Sequence, residues 1–543
     1  MRWWGWGEDG HDAPIPEPAA GLLREVLGTD GSVRRRPVAL EEVRLPDPRL
    51  PSGARERLAG AVGAEHVRND REVRVSHATG RSYPDLVRLR SGDGSSAPDA
   101  VVLPASADDV AAVLAACVEH RVAVVPFGGG TSVVGGVEPV GDGFAGVVSM
   151  DLRRLDRVVS IDRTSLLATL EAGLSGPGAE RALAAEGLTL GHYPQSFEYS
   201  TVGGWVATRS AGQASTGYGR IDELVEGLSM VAPAGEIGSR PLPASAAGPD
   251  LRELLVGSEG VLGVIREVTL RVRPAPSASR YEGWWFGSFA EGREAFRVME
   301  QADASPDVAR LSDEEETRFS LAFASGTGAG TAARLGRAYL RARRRESGCL
   351  AIVGFEGDEE DVERRRVRTG ALLRAGGGMA LGRRPGDLWL HSRFAAPYLR
   401  DELLDRGILV ETLETAASWS GLDRLYRATA DALRSALGER EKRPFVMCHV
   451  SHLYRSGASL YFTFLAEQEE DALAQWRAAK QAASEAIVAA GGTITHHHAV
   501  GRDHARWMRA EVGEMGLELI RAAKERLDPA GIMNPGKLLP PPE

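Results

Sequence analysis

The sequence predicts an α+β protein with two main domains, and three observations carry that prediction. A short apolar strand at 101–103, a helix, and a second apolar strand at 122–125 lead into a glycine-rich loop at 126–132. After Pro274 and Pro276, strand-like stretches such as Ala351–Phe355 and Leu460–Leu465 alternate with long charged helices such as Ala332–Arg345. That alternation predicts an antiparallel sheet covered by helices. Finally, 543 residues at 43% hydrophobic content require, and can fill, more than one core.

Residues 1–95 read as a charged, Pro-punctuated lead-in, helical or irregular. Its Trp3, Trp4 and Trp6 are expected to dock on the body of the protein, with contact to a membrane surface as the alternative. Residues 96–276 form the glycine-loop domain. Within it Ser106, followed three residues later by Asp109, reads as a helix start, and Val110, Val113, Leu114 and Cys117 recur at helical spacing. Residues 277–500 form the sheet-and-helix domain, in which 320–331, rich in Gly, Ala and Ser, reads as a mobile loop. Residues 501–543 carry a helix near 514–527, stopped by Asp528-Pro529 and Asn534-Pro535-Gly536.

The loop Pro126, Phe127, Gly128, Gly129, Gly130, Thr131, Ser132 has the chemistry of a phosphate cradle. Glycines let backbone N–H groups converge on an anion, and the two hydroxyls add donors. It lacks the Lys of a Walker A loop, and its contiguous glycines do not match GxGxxG. Alone, it could be a turn between strands. Two further segments share its character. One holds Gln195, Ser196, Phe197, Glu198, Tyr199, Ser200 and Thr201, then Thr208, Arg209, Ser210 and Ala211. The other holds Glu259, Gly260, Val261, Leu262, Gly263, Val264 and Ile265, feeding a strand at 268–272.

His496, His497 and His498 follow a strand-like stretch at 492–495, so His496 and His498 would face one way and His497 the other. Such a run can be a surface feature, a metal site completed by His504 or His452, or acid–base machinery; no carboxylate or Cys cluster at ligand spacing accompanies it, and no metal is expected. Tyr461 alternates with apolar residues, as a core-facing tyrosine in a sheet would. Arg310 is one charge in the strand-like 308–312, and a buried arginine there needs a partner. Arg400, beside Asp401, can be a helix-surface arginine or an anion clamp, whose forked donors suit phosphate.

The net charge of −10 argues against nucleic-acid binding, and three widely separated cysteines favour a reducing compartment. No apolar run approaches a membrane span, and neither a signal peptide nor a peroxisomal C-terminus is read, so a cytoplasmic location is expected.

Taken together, PFGGGTSVVGG, FEYSTVGGWVATR, GSEGVLGVI, TLETAASW at 412–419, CHVSHLY at 448–454, LYFTF at 460–464, THHHAVGRDHARW at 495–507 and LDPAGIMNPGKLL at 527–539 resemble the vanillyl-alcohol oxidase superfamily. Within it they are most similar to the alkyldihydroxyacetonephosphate synthase family. The resemblance implies a two-subdomain FAD-binding domain, a cap domain, and a C-terminal tail packed on the former. It implies FAD on the four segments above, held without a covalent tether, since 126–136 has no His and neither His77 nor His192 sits in a tether motif. It also implies that the fatty acid of acyl-dihydroxyacetone phosphate is exchanged for a fatty alcohol through a flavin N5 adduct, without net redox change, in ether-lipid synthesis. Tyr461 would be the acid/base, its pKa lowered by neighbouring histidinium or arginine. His496, His497 and His498 would support proton transfer, Arg310 would sit near the flavin, and Arg400 (with Arg406 as second candidate) would hold the substrate phosphate. A homodimer with peripheral membrane contact is expected. Two alternatives remain at this point: an FAD oxidoreductase acting on a 2-hydroxy acid such as D-lactate or glycolate, and a flavin-containing binding subunit, against which the density of ionisable site residues argues.

Overall fold

The computed structural model describes residues 1–11, 13–29, 33–326, 347–438 and 443–540. Three larger sheets organise the described residues, beside a two-stranded pairing of Leu188–Thr189 with Arg273–Pro274. The first runs in the order Val67–Arg68, Ala100–Val102, Gly146–Asp151, Val122–Phe127, with the last three strands parallel. These parallel strands are buried almost throughout, which explains their unbroken apolar runs. Helix Ala107–His120 connects two of them. The Ser106 hydroxyl caps it by accepting from the Asp109 N–H at 3.1 Å, and Asp109 Oδ2 accepts from Ala105 N–H at 2.8 Å.

The second sheet is antiparallel, in the order Val158–Asp162, Leu167–Glu171, Val264–Arg271, Val225–Ala232, Gly235–Ser239. The short helix Val202–Ala207 packs on it through Val202, Trp205 and Val206. The chain's last segment runs beside the first sheet: Val124 N–H donates to Ile532 C=O and Asn534 N–H donates to Val124 C=O, both at 2.8 Å.

The third sheet has seven antiparallel strands, in the order Met379–Gly382, Ala278–Phe286, Cys349–Gly357, Val308–Ser312, Phe445–Tyr454, Gly457–Glu467, Ile408–Ser418. Helices Phe289–Gln301, Glu359–Ala375, Leu422–Leu437 and Ala472–Ala489 accompany this sheet, and their buried apolar residues join it in one core. The two-residue strand period then positions the site. Leu460, Phe462 and Phe464 enter the core, and Tyr461 and Thr463 point to the opposite face. Glu414 and His449 lie directly opposite Tyr461 on the two flanking strands and share that face.

Several sequence expectations are corrected. The stretch 320–326 is the end of helix Glu314–Gly326, not a loop, and 327–331 and the expected helix 332–345 lie outside the described residues. The tail helix expected near 514–527 is present and ends at Leu527; a preceding turn of helix from Met508 is separated from it by a break at Gly513, whose φ is +72°. The stretch 492–495 is not a strand. The N-terminal tryptophans are docked: Trp6 is buried with its backbone N–H donated to Asp401 Oδ2 at 2.7 Å and its ring edge-on to Tyr199, while the guanidinium groups of Arg2 and Arg90 both lie against the Trp4 ring.

Candidate active site

The four predicted cofactor segments come together. A Cβ on Gly129 would fall on the Tyr199 carbonyl, and one on Gly128 on the Thr201 hydroxyl, so 126–132 and 195–201 meet backbone to backbone. A Cβ on Gly260 would meet the Pro126 ring, which puts the fourth segment against the first. The residues just before the third segment are bonded to the start of the fourth, Gly257 N–H to Val206 C=O and Glu259 N–H to Ala207 C=O, both 2.9 Å. A side-chain-free loop beside Thr131, Ser132 and Thr201 suits a dinucleotide pyrophosphate.

Not every side chain of these segments is available to a cofactor. Val261, Leu262, Val264 and Ile265 are buried in apolar clusters, leaving their backbone. Arg209 binds Asp222 and Glu253. The Gln195 amide donates to Arg393 C=O, and the Glu198 carboxylate accepts from the Tyr398 hydroxyl, which ties this segment to the cap. Glu259 accepts the N–H groups of Val500 and Gly501 at 2.8 and 2.7 Å; burial pushes its carboxyl up to about 7.

On the open face of the seven-stranded sheet, Tyr461 sits among imidazoles. Its ring lies parallel to His449 at 4.9 Å and to His497 at 6.0 Å, with His498 edge-on at 5.5 Å. His449 Nδ1 is 2.9 Å from Glu316 Oε1, and Arg310 bridges both, at 2.9 Å to that oxygen and 3.1 Å to His449 Nδ1. Arg310 thus has the partner a strand arginine needs. The buried carboxylate of Glu414 holds the histidine run by its backbone: it accepts from the N–H of His496 at 2.5 Å, His497 at 2.9 Å and His498 at 2.7 Å, and from the Thr495 hydroxyl at 2.8 Å. These bonds replace strand pairing, which is why the run is irregular.

Burial sets the protonation. It pushes the Tyr461 phenol up to about 12, outweighing the Thr412 hydroxyl and Arg310, which pull it down. It pulls His498 down to about 3 and His449 and His497 below their ordinary value, and His496 and His452 well below it. The expected lowering of the tyrosine by histidinium is therefore overturned. Burial thus favours the uncharged form of the phenol and of the imidazoles around it. For Glu414 burial acts the other way from its surroundings, and the histidines and N–H donors prevail, holding its carboxyl well below the usual range.

Arg400 lies on helix Ala396–Asp405. Its Nη1 donates to Arg81 C=O at 2.5 Å, while Nε and Nη2 are buried without a partner. Arg406 instead pairs with Glu402 at 2.7 Å. Of the two candidates, only Arg400 keeps buried donors for an anion. No hydrogen bond or ring contact among the described residues links it directly to the Tyr461 cluster.

A family model described as FAD binding domain matches residues 98–239, and one described as FAD linked oxidases, C-terminal domain, matches 275–538. The chain is 35% identical to the alkyldihydroxyacetonephosphate synthase of Trypanosoma brucei brucei, over 100% of this chain and 93% of that protein. It belongs to the alkyldihydroxyacetonephosphate synthase family. A solved alkyldihydroxyacetonephosphate synthase superposes with a TM-score of 0.86 at 30% identity, covering 98% of each chain. The 4-ethylphenol oxidase of Gulosibacter chungangensis, at 14% identity, shares the fold with a TM-score of 0.69 over 94% of this chain and 99% of that one. The fold is of the vanillyl-alcohol oxidase type, and FAD is the cofactor.

As a member of this synthase family the chain shows site residues that its sequence did not single out for their contacts. Glu414 and Glu316 sit unmarked in strand and helix patterns. His449 and His452 are three apart and would face opposite ways on a regular strand; a bulge between Val450 and Leu453 breaks that register. His452 then stacks on His496 at 5.2 Å, with its Nδ1 2.6 Å from the Ser215 hydroxyl. Nitrogens of His452, His496 and His497 lie within 4.8 Å of one another, near enough to share an ion. His504 stands apart, its Nδ1 3.1 Å from Ala499 C=O. His192 is buried among these segments, with Nε2 3.1 Å from the Ser210 hydroxyl and Nδ1 unpartnered. His77 is spent, between Val73 C=O and Asp151.

Proposed function

We propose that this chain is an alkyldihydroxyacetonephosphate synthase, exchanging the acyl group of acyl-dihydroxyacetone phosphate for a fatty alcohol. The observation that carries the reading is Tyr461, a neutral phenol enclosed by His449, His497 and His498 and adjoining Arg310. When bound, FAD supplies the group that carries the three-carbon unit between departure of one chain and arrival of the other. The chain's residues do the rest. The unpartnered Nε and Nη2 of Arg400 take the substrate phosphate. Tyr461 moves a proton at C1 while a neighbouring neutral imidazole takes or returns the phenol proton. The C1–O bond to the fatty acid breaks, a C1–O bond to the alcohol forms, and the alcohol's proton departs with the released fatty acid; nothing is oxidised overall.

A homodimer, peripheral membrane contact and a cytoplasmic, reducing location are part of the same proposal. Cys117, Cys349 and Cys448, all free and buried, suit such a compartment. The function is tested anaerobically. Protein, acyl-dihydroxyacetone phosphate and fatty alcohol should give ether product and free fatty acid in equal amounts with no electron acceptor. Flavin bleaching by D-lactate or glycolate, with no ether formed, would establish the oxidoreductase instead.

A further inference from the structure

His452, His496 and His497 form a triangle. Their ring centroids are 5.2 Å apart for His452 and His496, 5.3 Å for His452 and His497, and 5.2 Å for His496 and His497. Rings that merely pack have no reason to keep three equal separations. A shared ion supplies one: with a Zn–N bond of about 2.1 Å and tetrahedral angles, three imidazoles on a single ion have centroids roughly 5.3 Å apart. The nitrogens agree with this. One from each ring lies within 4.8 Å of the other two. His496 Nδ1 and His497 Nδ1 are 3.0 Å apart, close to the roughly 3.4 Å between two ligands of a tetrahedral ion.

Two of the remaining ring nitrogens already have outer partners. His452 Nδ1 is 2.6 Å from the Ser215 hydroxyl, which leaves Nε2. His496 Nε2 is 2.6 Å from the Tyr454 hydroxyl, which leaves Nδ1. A partner on the second nitrogen is what orients a metal-bound imidazole. Glu414 Oε2 lies 3.7 Å from His497 Nδ1 and puts a buried carboxylate beside the triangle. His496 and His497 also line a cavity of about 490 Å³ whose wall includes the exposed Glu511 and Val512, so an ion has a way in.

We propose that His452, His496 and His497 bind one divalent transition-metal ion such as Zn²⁺, and that the bound ion stops turnover. Three imidazoles suit Zn²⁺, Co²⁺ or Ni²⁺ and do not suit Mg²⁺ or Ca²⁺, which take oxygen ligands. The ion occupies the lone pair of His497, whose ring lies parallel to Tyr461 at 6.0 Å, so this imidazole no longer takes a proton. The binding stands on geometry alone; the inhibition rests on the synthase reading.

The test uses FAD-loaded protein without an affinity tag, stripped with EDTA and titrated with Zn²⁺ by calorimetry. The zinc complex is then read by X-ray absorption. One ion per chain should bind, with three imidazole nitrogens at about 2.0 Å, and Mg²⁺ should not bind. His452→Ala should weaken Zn²⁺ binding roughly a hundredfold or more, since losing a ligand costs at least as much as losing its outer partner. No zinc bound by the wild-type protein, or zinc held by oxygen ligands, overturns the proposal without any variant having to fold. So does undiminished affinity in His452→Ala. In the ether-forming assay Zn²⁺ should lower kcat roughly tenfold or more, and EDTA should restore it. Zinc-loaded protein working at the full rate overturns the inhibition. Protein that binds zinc as expected but forms no ether when metal-free refutes the synthase reading and leaves the metal site intact.

Discussion

Glu414 holds His497 by its backbone: Oε1 accepts the His497 N–H at 2.9 Å, while Oε2 lies 3.7 Å from the His497 Nδ1. The same carboxylate takes the N–H groups of His496 and His498, so a single side chain on the sheet shapes the whole histidine run. Glu414→Gln keeps the size but replaces one acceptor oxygen with a donor, stranding buried N–H groups at about 1–3 kcal/mol each. The variant should unfold at lower denaturant and lose most turnover, measured by urea titration and ether assay. Wild-type activity in that variant would show that the clamp does not position the histidines.

Tyr461→Phe should bind FAD with an ordinary flavin spectrum yet lose turnover by ~10²–10⁴, the usual contribution of a proton-transfer group. The ring stays packed on His449 and His497, so stability should change little. Full activity would reassign the acid/base role.

Arg400 and Arg406 give a paired comparison on one helix. Arg400→Ala should raise KM for phosphate-bearing substrate strongly, since the lost donors act on bound substrate and transition state alike. Arg406→Ala removes a part-exposed pair with Glu402 and should cost at most about 1 kcal/mol of stability and no KM change. Equal KM effects from both would remove the phosphate assignment.

Asp503 makes stability depend on pH. Burial pushes its carboxyl up to about 7, against Lys480, with Asp85, Glu411 and Glu138 adding to the rise. Unfolded, it would titrate near 3.9. The folded chain therefore holds this proton more tightly, and the stabilisation, complete below the unfolded value, is lost as pH rises through about 7. Between pH 5 and 8 the Tm of wild type should fall relative to that of Asp503→Asn, which cannot titrate. Glu259 and Asp313 shift in the same direction, so the difference between the two proteins is the informative quantity. A constant gap would contradict the assignment.

Local patterns in the sequence exposed much of the fold. Helix Ala107–His120 is marked by its Ser106 cap and helical spacing, and Tyr461 by strand alternation. The partners of these residues were less legible. Glu414 acts on backbone N–H groups 82 to 84 positions downstream, and backbone groups leave no mark on residue identity. His452 reaches His496 past a bulge that no composition signal announces. The three histidines read as a strand because the pattern cannot show that a carboxylate, not a neighbouring strand, takes their N–H groups. The protonation of Tyr461 was misjudged because depth of burial, which decides it, is a property of the folded chain.

The central claim is that the ether oxygen comes from the alcohol, with no electron acceptor. Fatty alcohol carrying ¹⁸O should be supplied with acyl-dihydroxyacetone phosphate to FAD-loaded protein, and the products analysed by mass spectrometry. The account predicts ¹⁸O in the alkyl-dihydroxyacetone phosphate and none in the released fatty acid. Label found only in an ester of the fatty acid, or no ether product at all, would contradict it.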